Sequence, residues 1–123
     1  MKKRKILIVE DEKILAEMYR EKLENSGFEV FSASNGEDGF DLAKEMKPDL
    51  ILLDILLPRK NGLELLAQIR EDSQIASMSV VVFSNYDDLK TIREAERLGI
   101  KDYLIKANYT PKEIIEKLKK ALE

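Results

Sequence analysis

The run Leu50-Ile51-Leu52-Leu53-Asp54-Ile55-Leu56-Leu57-Pro58 constrains this chain more than any other stretch. Consecutive large aliphatics fall on both sides of a pleat, which describes a strand covered on both faces, as in a parallel sheet packed between helices. Pro58 cannot donate to a sheet ladder, so the strand ends shortly before it. An isolated ionised carboxylate buried in mid-strand is very costly. Asp54 is therefore expected at the strand's C-terminal end, on the edge where ligands bind in open parallel sheets. The plain alternative is an Asp that caps the following loop.

The remaining chain repeats one theme, an apolar run followed by an amphipathic helix. Lys5 to Val9 is a short apolar strand that stops at Glu10-Asp11-Glu12, and Ile14, Leu15, Met18, Tyr19 and Leu23 then recur at helical spacing. Gly27 is placed to cap that helix in the left-handed conformation. Phe28 to Ala33 reads as a strand, and Ser34-Asn35-Gly36 starts a helix that Pro48 terminates. Beyond Pro58, a polar turn at Arg59-Lys60-Asn61-Gly62 precedes a helix carrying Leu63, Leu65, Leu66 and Ile69. Val80-Val81-Val82-Phe83 is a second wholly apolar strand, ending at Ser84; Asp87 is the expected N-cap of the helix that Gly99 closes. Tyr103-Leu104-Ile105 forms the last strand, ending at Lys106. Thr110-Pro111-Lys112-Glu113 carries a capping-box Thr and Glu with Pro at the first helical position.

Strict alternation of strand and helix requires parallel strands joined by right-handed crossovers, with helices on both faces. Residues 1–123 therefore read as one doubly wound α/β domain without linker or low-complexity tract, the strands around Leu52 and Val81 being interior. A net charge of −3, from 21 basic and 24 acidic residues, gives no case for direct nucleic-acid or membrane binding. The absence of Cys and His excludes thiolate chemistry, Ser–His triads and most transition-metal sites. No apolar window is long enough to span a bilayer, and the expected location is cytoplasmic.

In a parallel sheet, the residues that end the strands share one edge. Glu10 and Asp11, Asp54, Ser84 and Lys106 then converge from distant sequence positions. Each has a bland explanation: a solvated first turn for Glu10 to Glu12, a turn serine, a surface lysine. Together they place a polar group wherever an apolar strand stops. Clustered carboxylates raise one another's pKa unless a cation intervenes. Lys106 supplies one charge, and an all-oxygen site suits Mg²⁺ better than Zn²⁺. No phosphate-binding GxxxxGK[ST] loop and no dinucleotide-binding GxGxxG follows a strand. A carboxylate nucleophile beside Mg²⁺ and Lys is a phosphoryl-acceptor site. In that reading Asp54 attacks in line, Asp11 holds Mg²⁺ and Glu10 supports it directly or through water. Lys106 neutralises the transferred oxygens, and the Ser84 hydroxyl donates to one of them.

The combination of Ile6 to Glu12, Asp49 to Pro58 with Asn61-Gly62, then Ser84, Gly99, Tyr103 and Lys106, resembles the receiver domain of bacterial two-component response regulators. The resemblance covers the whole chain. It implies a flavodoxin-like (βα)5 fold with a five-stranded parallel sheet in the order 2-1-3-4-5. It further implies that Asp54 accepts a phosphoryl group from a sensor histidine kinase or phosphotransfer protein, without the chain being an enzyme beyond intrinsic self-phosphorylation and self-dephosphorylation. Mg²⁺ would be held by Asp11, Asp54 and the backbone carbonyl of Leu56, with Glu10 in support. Ser84 and Tyr103 would be the switch residues, changing how the face of the fourth helix, fifth strand and fifth helix meets an unknown downstream protein. A monomer or a weak phosphorylation-dependent dimer is implied, and Lys90, Arg93, Glu94, Arg97 and Lys101 would lie on that face. The sequence ends after its fifth helix, which leaves two expectations, a protein that works alone and a fragment of a longer regulator.

Three positions depart from the family pattern. Ala107 stands where Pro usually follows the lysine through a cis bond, and a retained cis bond is expected although it costs about 2.5–4 kcal/mol without proline. Asn85 replaces the usual Ala or Gly after the switch hydroxyl and would crowd the phosphoryl group. Ser84 replaces the commoner Thr and lacks its methyl group. Two rivals remain: an interaction module that works without phosphorylation, and a Mg²⁺ phosphatase of the haloacid dehalogenase type. The latter wants a second Asp where this chain has Leu56.

Overall fold

The computed structural model describes residues 2–123. Strands and helices alternate throughout: β1 (Lys5–Val9), α1 (Lys13–Asn25), β2 (Glu29–Ala33), α2 (Gly36–Met46), β3 (Leu50–Leu53), α3 (Gly62–Glu71), β4 (Val80–Ser84), α4 (Leu89–Arg97), β5 (Asp102–Ile105) and α5 (Pro111–Ala121), with a 3₁₀ turn at Lys106–Asn108 between the last two. The five strands form one parallel sheet in the order β2-β1-β3-β4-β5. The expected topology and the interior positions of β3 and β4 are therefore present.

Period-2 alternation divides the apolar strand residues between two cores. Ile6, Ile8, Leu50, Leu52, Val81, Phe83 and Leu104 pack with Tyr19 and Leu23 of α1 and Ile114 and Leu118 of α5. Leu7, Val9, Ile51, Leu53, Val80 and Val82 pack on the opposite side with Ala43 of α2, Leu65, Leu66 and Ile69 of α3, and Ala95 of α4. All four residues of β3 and all five of β4 are buried, which is why these stretches read as unbroken apolar runs.

The helix ends follow local chemistry. Asn35 accepts from the Asp38 N–H at the start of α2, and complete capping boxes begin α3 (Asn61 with Glu64) and α5 (Thr110 with Glu113). Gly27, just beyond α1, takes the φ of 95° that a side chain resists. One cap differs from expectation. Asp88, not Asp87, begins α4, because its carboxylate reaches both the N–H and the hydroxyl of Thr91, each at 3.0 Å.

Candidate functional site

The register of the sheet brings the strand ends together. Val9 pairs with Leu53, so the next residues along β1 and β3, Glu10 and Asp54, lie side by side at the C-terminal edge. Backbone bonds fix them there: the Asp54 N–H donates to the Val9 carbonyl at 3.0 Å and the Glu10 N–H to the Ala33 carbonyl at 3.0 Å. Both carboxylates are buried, with residue exposures of 6% for Asp54 and 5% for Glu10. Their burial is tolerated because one cation serves both. The Lys106 ammonium donates to Glu10 Oε1 at 2.5 Å and to Asp54 Oδ2 at 3.0 Å. Asp54 is thus at the sheet edge, as expected, yet it is buried among charges rather than open to solvent.

Lys106 also lies over the Phe83 ring, 5.5 Å from its centroid, and that ring meets Tyr19 edge-on at 5.2 Å. An aromatic floor therefore closes the α1/α5 side of the site. Burial pushes the Glu10 carboxyl above its ordinary value and the Asp54 charge adds to the rise, against lowering by the Lys106 and Glu12 hydrogen bonds. For Lys106, burial opposes the ammonium, but its bonds to Glu10 and Asp54 outweigh this and raise its pKa.

Asp11 is exposed and completes a carboxylate trio. One oxygen from each of Glu10, Asp11 and Asp54 lies within 4.8 Å of the others. Three carboxylates against one ammonium leave two negative charges uncompensated, and the donor set is all oxygen. That chemistry fits a hard divalent cation such as Mg²⁺.

Ser84 and Tyr103 belong to the other side of the sheet. Ser84 continues the Val80–Val82 row, and Tyr103 packs against the core beneath α2, α3 and α4. The buried Ser84 hydroxyl accepts from the Tyr86 N–H at 3.2 Å, while the Tyr103 hydroxyl donates to the Tyr86 carbonyl at 2.5 Å. Both switch candidates thus hold one turn, at Tyr86. Burial, then the charge of Asp54, push the Tyr103 phenol up to about 12.

The loop after Asp54 is tightly built. Arg59 and Lys60 both take positive φ, 46° and 88°, an uncommon state for residues with side chains. Arg59 reaches the first turn of α2, 3.5 Å from Asp38 and 3.9 Å from Glu37. Gly62 is required at the loop's end, since a Cβ there would stand 2.2 Å from the Asp54 carbonyl oxygen. Leu56, whose carbonyl is a candidate ligand, follows β3 in this loop and its residue is 58% exposed.

The expectation of a cis Lys106–Ala107 bond is overturned: no cis peptide occurs among the described residues. Without proline, the trans form is favoured. Lys106 instead opens the 3₁₀ turn, and the Ala107 N–H donates to Asn85 Oδ1 at 2.9 Å. Sequence alone marks Asn85 only as an obstacle, and the structure adds this bond.

A family model described as response regulator receiver domain matches residues 6–119. The chain belongs to that family. The alkaline phosphatase synthesis transcriptional regulatory protein PhoP of Bacillus subtilis is 33% identical over 97% of this chain and 48% of its own length. The probable C4-dicarboxylate response regulator DctR of Halalkalibacterium halodurans is 39% identical over 83% of this chain and 44% of its own length. The chain thus spans about half the length of these curated relatives. It spans 94% of the polar-differentiation response regulator DivK of Brucella anthropi, at 34% identity over 95% of this chain. Among solved structures, a CheY-like response regulator receiver domain protein from Methanospirillum hungatei superposes with a TM-score of 0.91 at 27% identity, covering 98% of this chain and 94% of that one. Receiver domains are signalling phosphoacceptors rather than enzymes in the usual sense, and they work with histidine kinases or phosphotransfer proteins. Among the described residues, no helix is long and apolar enough to cross a membrane.

Proposed function

We propose that Asp54 is the phosphoryl acceptor of this receiver domain, and that a sensor histidine kinase or phosphotransfer protein supplies the group in the cytoplasm. The observation that carries this reading is the shared ammonium: Lys106 lies 3.0 Å from Asp54 Oδ2 and 2.5 Å from Glu10 Oε1 at the C-terminal edge of the sheet. An Asp54 oxygen attacks phosphorus in line. A P–O bond forms as the P–N bond of the donor phosphohistidine breaks, and the leaving imidazole nitrogen keeps the electron pair and takes up a proton. Such a transfer needs positioning and charge neutralisation more than acid–base catalysis, so the lack of His is no obstacle.

Asp11, Asp54 and the Leu56 carbonyl would hold Mg²⁺, with Glu10 in support. When bound, the cation neutralises charge on the phosphoryl oxygens. Lys106 can turn from Asp54 towards a phosphoryl oxygen while keeping its bond to Glu10. The Ser84 hydroxyl donates a hydrogen bond to another oxygen, which draws the Tyr86 turn with it and frees Tyr103 from the Tyr86 carbonyl. The face of α4, β5 and α5 then changes its fit to a downstream protein or to a second copy of the chain. Small phosphoryl donors would allow slow self-phosphorylation by the same route.

The test is incubation with acetyl phosphate and Mg²⁺ followed by intact-mass measurement. A single phosphoryl addition is expected in the parent and none in Asp54→Asn. An addition that persists in the variant would sink the assignment, and no addition in the parent would favour an interaction module that works without phosphorylation.

A further inference from the structure

The two departures from the family pattern that flank the site, Asn85 and Ala107, meet each other. We propose that Asn85 is a positioning residue for Lys106, tying the turn after β4 to the turn after β5 through the Ala107 N–H. This rests on the reading of Asp54 as acceptor and adds to it a determinant of how Lys106 is aimed.

The sheet shows why the tie falls here. The β4–β5 ladder ends with Ser84 opposite Ile105, so Asn85 and Lys106 are the first residues to step off it together. No strand pairing holds them beyond that point. The Asn85 amide oxygen accepts from the Ala107 N–H at 2.9 Å, which extends the ladder by a rung made from a side chain.

The donor exists only because residue 107 is not proline. It lies within the 3₁₀ turn Lys106–Asn108, and N–H groups in the first turn of a helix have no intrahelical partner. The N–H belongs to the peptide unit that begins at the Lys106 carbonyl. Anchoring that planar unit restricts the backbone from which the Lys106 side chain departs. The side chain then reaches both Glu10 Oε1 and Asp54 Oδ2. A proline at 107 would constrain the backbone through its ring and offer no N–H. Here a hydrogen bond from a neighbouring strand end supplies the constraint. Asn85 is exposed, so its amide contributes little to core packing and its effect falls on the turn it holds.

Two measurements on the intact chain test the tie. Amide exchange read by nuclear magnetic resonance without phosphoryl donor should show the Ala107 N–H exchanging about fivefold faster in Asn85→Ala, the factor that one ordinary hydrogen bond represents. The rate constant for Asp54 phosphorylation by acetyl phosphate with Mg²⁺ should fall by a similar factor of about five. In an Ala107→Pro background, where no N–H remains, Asn85→Ala should change that rate by less than about twofold. Unchanged Ala107 exchange, an unaltered rate in Asn85→Ala, or an equal fall in both backgrounds overturns the assignment. If the parent takes up no phosphoryl group, the acceptor reading fails, and the tie is upheld or overturned by the exchange measurement alone.

Discussion

Helices α4 and α5 flank the last strand and look alike in sequence, yet they are attached to the sheet in different ways. α5 starts with a capping box and Pro111 and buries Ile114, Ile115 and Leu118 against β1, β3, β4 and β5 residues. α4 buries only Ala95, and its first residue, Leu89, is 58% exposed. Beyond Ala95 and the partly buried Leu98, what holds α4 is polar and lies at its far end. The Arg70 guanidinium of α3 donates from Nε to the Leu98 carbonyl at 2.7 Å and from Nη2 to the Gly99 carbonyl at 2.8 Å. Its Nη1 holds the Ala76 and Met78 carbonyls at 2.9 and 2.7 Å. The end of α4 nearest Ser84 is thus the loosely packed one, and the end farthest from the site is pinned. Apolar burial fixes α5 as part of the core, whereas α4 is a lever with one fastened end.

The largest expected effect is on the packed helix. Leu118→Ala removes a fully buried side chain and should cost about 2–5 kcal/mol in denaturant unfolding. Leu89→Ala in α4 should stay within about 0.5 kcal/mol of the parent. Similar losses for the two would abolish the contrast. Arg70→Met keeps the aliphatic stem but strips four carbonyls of their donor, and about 2 kcal/mol should be lost. Hydrogen exchange should show faster amides in α4 with α5 unaffected, and uniform acceleration through both helices would show that Arg70 is not a local fastening.

A pH-dependent effect is expected at the Tyr103 hydroxyl, on the α4 side of the sheet. Tyr103 has a phenol raised to about 12 in the fold, above the usual value of 10. A raised folded pKa contributes stability that is fully present below the unfolded value and is lost as pH rises through the folded one. Parent stability should therefore decline between pH ~10 and ~12 more steeply than that of Tyr103→Phe, compared by chemical denaturation at the two ends of that window. Parallel declines would mean that the ring is not held against the Tyr86 turn.

Much of this architecture is legible in the sequence because burial on both faces writes itself as unbroken aliphatic runs, and Thr110 to Glu113 states a helix start outright. The convergence of Glu10, Asp54 and Lys106 is legible too, since parallel strands carry their ends to one edge. Three features are not. Asp87 and Asp88 offer the same cap chemistry, and only the reach to Thr91 selects the second. Arg70 looks like any solvated arginine on an amphipathic helix, because its carbonyl partners come from loops that no periodicity aligns. The Asn85–Ala107 bond needed the β4–β5 register. With Ser84 opposite Ile105, two apparent blemishes become neighbours, and the trans peptide at Lys106 follows from the missing proline ring.

The separation of the strand residues into two cores has a consequence for how this sequence can drift. Ile8 and Leu52 never meet Leu7 and Ile51, because the sheet's own backbone stands between them. A volume lost on the α1/α5 side can be made good only by another residue of that side. Compensating pairs of substitutions should accordingly share a face of the sheet, so that along each strand the odd and even positions wander through evolutionary time as two unlinked genealogies.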